Sequence, residues 1–126
     1  MGENEFRKSK RRVLTAFIVV AALIALIAAW GVRFRYWHSF STQKWMDHPE
    51  RRAGMTADLF RGYALVGMSE AQIADLLGPD DSARGYFNSP DRSVYCLGSR
   101  RTVIDDEWLL IDFENGVVRE YTMTTD

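Results

Sequence analysis

Between Val13 and Trp30 the chain reads VLTAFIVVAALIALIAAW, eighteen residues in which Thr15 alone is polar. Gly31 and Val32 extend the run before Arg33 interrupts it. At about 1.5 Å rise per residue, twenty helical residues cover roughly 30 Å, the hydrocarbon thickness of a bilayer. A buried core helix seldom stays apolar on every face for this length. Residues 13–32 are therefore predicted to form a transmembrane helix whose partner is the lipid bilayer.

The flanks carry an orientation signal. Arg7, Lys8, Lys10, Arg11 and Arg12 precede the apolar run, whereas Arg33 and Arg35 follow it, with Lys44, Arg51 and Arg52 farther on. The positive-inside rule then puts a basic tail, 1–12, in the cytoplasm and the C-terminal part outside. The chain reads as a single-pass signal anchor of the cytoplasmic (inner) membrane. Ala29-Trp30-Gly31 has the form of a signal-peptide cleavage site, but aromatic and arginine residues crowd it, and the run exceeds the roughly 7–15 residues of a signal-peptide core. Arg11-Arg12 is a weak match to a twin-arginine signal. No cysteine lies near the end of the span, which excludes lipidation of the bacterial lipoprotein kind. Trp30, Phe34, Tyr36, Trp37 and Phe40 are expected at the outer headgroups, where rings with one polar tip are favoured. They open a juxtamembrane connector, 33–46.

Charge is segregated along the chain. Residues 1–37 hold seven basic and two acidic side chains, net +5, and residues 38–126 hold nine and fifteen, net −6. An acidic exported domain repels phosphate backbones, so no nucleic-acid partner is expected. Cys96 is the single cysteine, which rules out an internal disulfide; within SVYCLG it reads as a small buried hydrophobe.

Residues 47–126 read as one extracytoplasmic domain, a size that folds with little stability to spare. Asp47-His48-Pro49-Glu50 has the composition of a helix start, with Asp47 as cap and Glu50 completing a capping box. Met55, Leu59, Phe60 and Tyr63 supply a helical stripe up to Ala64-Leu65-Val66. A second helix is bracketed in GMSEAQIADLLG: Ser69 and Gln72 form a capping box, Ile73, Leu76 and Leu77 share a face, and Gly78 stops it before Pro79. A helix this short needs an apolar surface to rest on.

That surface is the sheet expected from Ser93–Leu97, Glu107–Phe113 and Val117–Met123, rich in β-branched and aromatic residues. A three-residue loop, Glu114-Asn115-Gly116, would place Leu109, Ile111, Phe113, Val117, Tyr121 and Met123 on one face with Arg119 intruding. Trp108, Leu110, Asp112, Val118, Glu120 and Thr122 would share the other. This register buries more apolar surface than a two-residue Asn-Gly loop and is preferred. The predicted fold class is α+β: an N-terminal transmembrane helix, then two short helices packed on a three-stranded antiparallel β-sheet.

Leu65-Val66-Gly67-Met68-Ser69, then Ile73, Leu76-Leu77-Gly78-Pro79, Tyr95 and Leu109-x-Ile111-x-Phe113-x-x-Gly116-x-Val118 resemble the SmpA/OmlA (BamE-like) domain family over about residues 50–124. The resemblance implies this same helix-pair-on-sheet fold and a non-enzymatic scaffolding role outside the cytoplasmic membrane. The chain departs from the family in having an apolar anchor where the family has a lipidated cysteine.

Catalytic chemistry is thin. His38 and His48 lack metal-ligand spacing with Cys96, the Ser69 hydroxyl is committed to its cap, and Asp80-Asp81 and Asp105-Asp106-Glu107 lack the alternating ligands of a calcium loop. No phosphate-cradling glycine loop is present, and no catalytic residue, cofactor, metal or small-molecule substrate is expected. What remains is interaction surface. Tyr86 and Phe87 in the long loop from Pro79 to Arg92, Arg100 and Arg101 in the next loop, and Trp108 on the sheet are the candidate partner-binding residues, being aromatic and arginine anchors. The loops could instead fold back to close the core. The expected function is a membrane-anchored, extracytoplasmic protein-interaction or scaffold module of the bacterial cell envelope, binding an envelope protein. The alternative is an inhibitor or immunity-type protein, because the helix-pair-on-sheet unit also resembles the β-lactamase inhibitory protein fold.

Overall fold

The computed structural model describes residues 2–99 and 104–126 and divides into two units, residues 1–36 and 37–126. The first consists of helix α1, Gly2–His38, whose last two residues belong to the second unit. No residue of α1 is buried. Its large apolar side chains, such as Phe17, Ile24 and Ile27, stand exposed, and among the described residues it is the one helix long and apolar enough to cross a membrane. Apolar surface of this extent is stable only in an apolar surrounding. The chain thus has the build of a single-pass membrane protein.

The second unit has the α+β arrangement. Three short helices, α2 (Thr42–Asp47), α3 (Arg52–Gly62) and α4 (Glu70–Leu77), precede strands β1 (Arg92–Ser99), β2 (Asp106–Glu114) and β3 (Val117–Thr125). The strands form an antiparallel sheet in the order β1-β2-β3. Odd-numbered residues of the first two strands, Tyr95, Leu97, Leu109, Ile111 and Phe113, join Trp45, Met55, Leu59, Leu65, Ile73, Leu77 and Val118 in the main core under the helices. Even-numbered Val94, Cys96, Trp108 and Leu110 form a second core on the opposite face, covered by Phe87. β2 is buried on both sides, which is why WLLI reads as a continuous apolar run without alternation. Each fully buried leucine or isoleucine there contributes about 2 kcal/mol.

α4 forms as its punctuation predicts. The Ser69 hydroxyl accepts the Gln72 amide, the Gln72 side chain accepts the Ser69 amide, and Gly78 ends the helix at φ 76°. The helix entrance expected at Asp47 is displaced. Asp47 is the last residue of α2, a helix capped by Ser41, and Pro49–Arg51 is a 3-10 turn leading into α3, with no side-chain cap at Arg51. The reason is Trp45: its fully buried ring draws the residues around it into the fold, so Thr42–Asp47 forms an additional helix. The Thr42 hydroxyl fastens it to α4 by donating to the Leu76 carbonyl at 2.8 Å.

The hairpin also differs from expectation. Glu114 pairs with Val117, so the loop is the two-residue Asn115-Gly116, both at positive φ as a type I′ turn requires. Val118, not Val117, enters the core, and Val117 stays 40% exposed. A bulge then restores the phase: Phe113 pairs with Val118 but Asp112 with Glu120, so Arg119 is the extra residue and Tyr121 and Met123 lie opposite Ile111 and Leu109. The bulge keeps both Arg119 and Glu120 off the apolar face, whereas a regular three-residue loop would admit Arg119 and a regular two-residue loop Glu120.

Candidate functional site

Arg52 is the least expected charged group in the molecule, with only 5% of its surface exposed. It falls on the buried stripe of α3 with Met55, Thr56 and Leu59, spaced i, i+3, i+4, i+7. Nε donates to the Trp45 carbonyl at 2.7 Å, and Nη1 to the Cys96 carbonyl at 3.1 Å and to Asp81 Oδ2 at 3.0 Å. The guanidinium also lies 5.2 Å from the Trp45 ring. A buried charge persists only when so fully bonded.

Asp81 and its neighbour complete the arrangement on the outer side of β1. Asp81 Oδ2 accepts the Cys96 amide at 2.8 Å and Asp80 Oδ2 the Val94 amide at 3.2 Å, while the Asp81 amide donates to the Val94 carbonyl at 2.7 Å. Two carboxylates and a guanidinium thus occupy the hydrogen-bonding positions that a further strand would take. Gly98, at φ 88° beside a bulge in β1, brings the strand against the Glu50 backbone. Asp80-Asp81 is an edge seal and not a pair of free carboxylates.

On the sheet face away from the helices, the loop from Pro79 to Asp91 folds back over Trp108. The Trp108 ring is fully buried, with Tyr86 at 5.3 Å, Phe87 at 6.2 Å and the Arg84 guanidinium at 5.0 Å. Its Nε1 donates to Asp126 Oδ2 at 2.9 Å. Arg92 holds the loop's end by donating to the Phe87 carbonyl and to Asp112, its cross-strand neighbour, at 2.6 Å. Trp108 is therefore a core residue and not an exposed anchor, and Phe87 is half-buried against it. Tyr86 alone of the three keeps a large exposed surface, 47%. Arg100 and Arg101 lie outside the described residues.

The aromatic belt expected after the apolar run is also divided. Trp30, Phe34 and Tyr36 are exposed on α1, whereas Trp37 packs edge-on to His48 at 5.0 Å and under the Arg51 guanidinium at 4.5 Å. Phe40 lies against Trp45 and Tyr63, and Asp58 accepts its amide at 2.7 Å. The His38 ring faces Gly54, and His48 Nδ1 is 3.4 Å from Glu50. Among the described residues no group of three or more His, Cys, Asp or Glu is placed to hold a metal ion.

One concave surface of the second unit was not foreseen. Thr42, Tyr63, Met68, Gln72, Asp75 and Leu76 line an open cleft of about 310 Å³ between the end of α3, the Gly67–Ser69 link and α4. Tyr63 is 43% exposed there, and Met68 and Leu76 are half-buried. The sequence signal was present: Tyr63 continues the α3 stripe one step beyond the last turn, so its ring reaches past the core. The cleft offers an aromatic ring, a thioether and a carboxylate at its rim, a combination suited to holding a side chain of another protein. No protein-family model, curated protein or solved structure matches the chain.

Proposed function

We propose that the protein is a membrane-anchored, extracytoplasmic interaction module of the bacterial cell envelope, which binds another envelope protein and performs no catalysis. The observation that carries this reading is the contrast between the two units: a helix with no residue buried, and a compact unit whose buried and half-buried charges are committed to its own backbone and to one another. Arg52, Asp80, Asp81, Arg92 and Asp112 all satisfy internal partners, so none is held in readiness for a substrate. The basic residues before the apolar run support a cytoplasmic N-terminus. The SmpA/OmlA-like punctuation of residues 65–79 supports a scaffolding role.

Within this reading the partner contacts the Tyr63 cleft and Tyr86, the uncovered aromatic positions of the second unit. A photo-crosslinking side chain introduced at Tyr63 or Tyr86 in intact cells, combined with protease treatment of spheroplasts, tests it. The expected result is a defined adduct with an envelope protein and digestion of the C-terminal unit without lysis. Digestion only after lysis, or turnover of a substrate by the purified chain, contradicts the reading.

A further inference from the structure

We propose that the first turns of α1 bind anionic lipid headgroups selectively, in whichever leaflet they occupy; this rests on α1 crossing the bilayer. The helix is unbroken from Gly2, so the basic side chains are held at fixed angles around its axis. At about 100° per residue, Arg7, Lys8, Lys10, Arg11 and Arg12 spread over an arc of roughly 200°, and Phe6 and Ser9 fall on the remainder. Phe6 stands above Val13 and Phe17 on one stripe. Together with Ser9, Lys10 and Leu14 these residues line a shallow furrow of about 450 Å³. Lys10 Nζ sits 4.6 Å from the Phe6 ring, at the basic end of the furrow.

This furrow has the polarity of a lipid. Its Val13–Phe17 part is apolar and takes an acyl chain, while Lys10 and its basic neighbours face the headgroup. Arg7 to Arg12 span about 9 Å of helix directly adjoining Val13, which is the depth of a headgroup layer. Glu3 reaches Arg7 at 3.4 Å, but among the described residues no carboxylate pairs with Lys8, Lys10, Arg11 or Arg12. Their charge is left for an external anion. With Val13 to Phe17 already in hydrocarbon, a lipid answers the basic side chains with its headgroup and the furrow with its acyl chain, whereas a soluble polyanion answers the charges alone, so the contiguity of charge and acyl groove selects the lipid.

The full chain carrying Asn4→Cys and Cys96→Ser, labelled with a fluorescent donor at position 4, is reconstituted in phosphatidylcholine vesicles containing phosphatidylglycerol. Energy transfer to trace acceptor-labelled phosphatidylglycerol is compared with transfer to acceptor-labelled phosphatidylcholine. The expected result is enrichment of phosphatidylglycerol near the label by about fivefold. It falls towards equality in a Lys8→Gln, Lys10→Gln, Arg11→Gln, Arg12→Gln variant, survives Arg33→Gln with Arg35→Gln, and is not displaced by excess inorganic phosphate. Equal transfer to the two lipids, enrichment unchanged in the fourfold variant, or displacement by phosphate overturns the proposal. Failure of the chain to float with the vesicles overturns instead the reading of α1 as a membrane helix.

Discussion

Tyr95 shows how tightly single residues are held in the second unit. Its ring is buried between the helices and the sheet, and its hydroxyl donates to the Gly78 carbonyl at 2.9 Å, tying β1 to the end of α4. Burial disfavours the phenolate and the nearby Asp80 carboxylate adds repulsion, so the hydroxyl ionises well above the ordinary tyrosine range. A proton bound more tightly in the folded state stabilises it fully below the unfolded-state value of about 10, and that stabilisation is lost as pH rises beyond it. Unfolding of the full chain in detergent should therefore show stability falling above about pH 10, by up to about 1.4 kcal/mol per unit from this group. Tyr95→Phe should flatten the fall while costing about 1 kcal/mol at neutral pH for the lost hydrogen bond. An identical alkaline fall in the variant would show that other groups cause it. Arg52 has the same character: the pattern Arg52-Met55-Thr56-Leu59 marks it as inward-facing, but that it serves β1 depends on Asp81 and Cys96, distant in the chain.

Among the elements, β1 is held by a close backbone approach at Gly98. A Cβ at Gly98 would lie 3.1 Å from Glu50 Cα and 3.2 Å from its carbonyl oxygen, and one at Gly78 would lie 2.6 Å from Met46 Sδ. Both glycines have positive φ, so either alanine costs about 1–2 kcal/mol in conformation alone. Met46 is a flexible side chain and can move aside; the Glu50 backbone cannot. Gly98→Ala should thus lower the melting temperature more than Gly78→Ala, and Met46→Ala should recover part of the Gly78→Ala loss and none of the Gly98→Ala loss. Equal losses, or rescue of both, would refute the distinction. The same contrast between local and remote causes governs how much was legible. The two ends of α4 are written within Ser69–Gly78 and were found. The strands were found because apolar composition marks them. The hairpin register is not legible locally because it is decided outside the hairpin: the Gly67 amide donates to the Val118 carbonyl and the Val118 amide to the Met68 carbonyl, fixing that residue inward and forcing the bulge at Arg119. α2 was missed because Ser41 and Trp45 act through tertiary contacts that composition does not display.

Over the whole molecule, the apolar run was the clearest signal, since length and hydrophobicity need no tertiary context. The interaction surface was the least clear. In the sequence Trp108 reads as an anchor because a tryptophan on a half-polar face looks uncovered, whereas the Pro79–Asp91 loop supplies a cover by folding back. The exposed helix makes a direct prediction. The full-length chain should remain with membranes after alkaline carbonate washing, and Leu23→Arg with Ile24→Arg should release it, because each charge at a span's centre costs about 2.5–3.5 kcal/mol. Retention of that variant would deny α1 its role.

The carboxylates on β1 have one more effect. They close one margin of the sheet, and beyond Val118 no backbone hydrogen bond from the described residues reaches the outer side of β3. Fibrous growth requires two receptive margins on every copy, and this sheet has one. Strand addition can therefore join two copies at most, after which neither end accepts another: a chain crowded along a membrane surface is protected from templated polymerisation by Asp80 and Asp81.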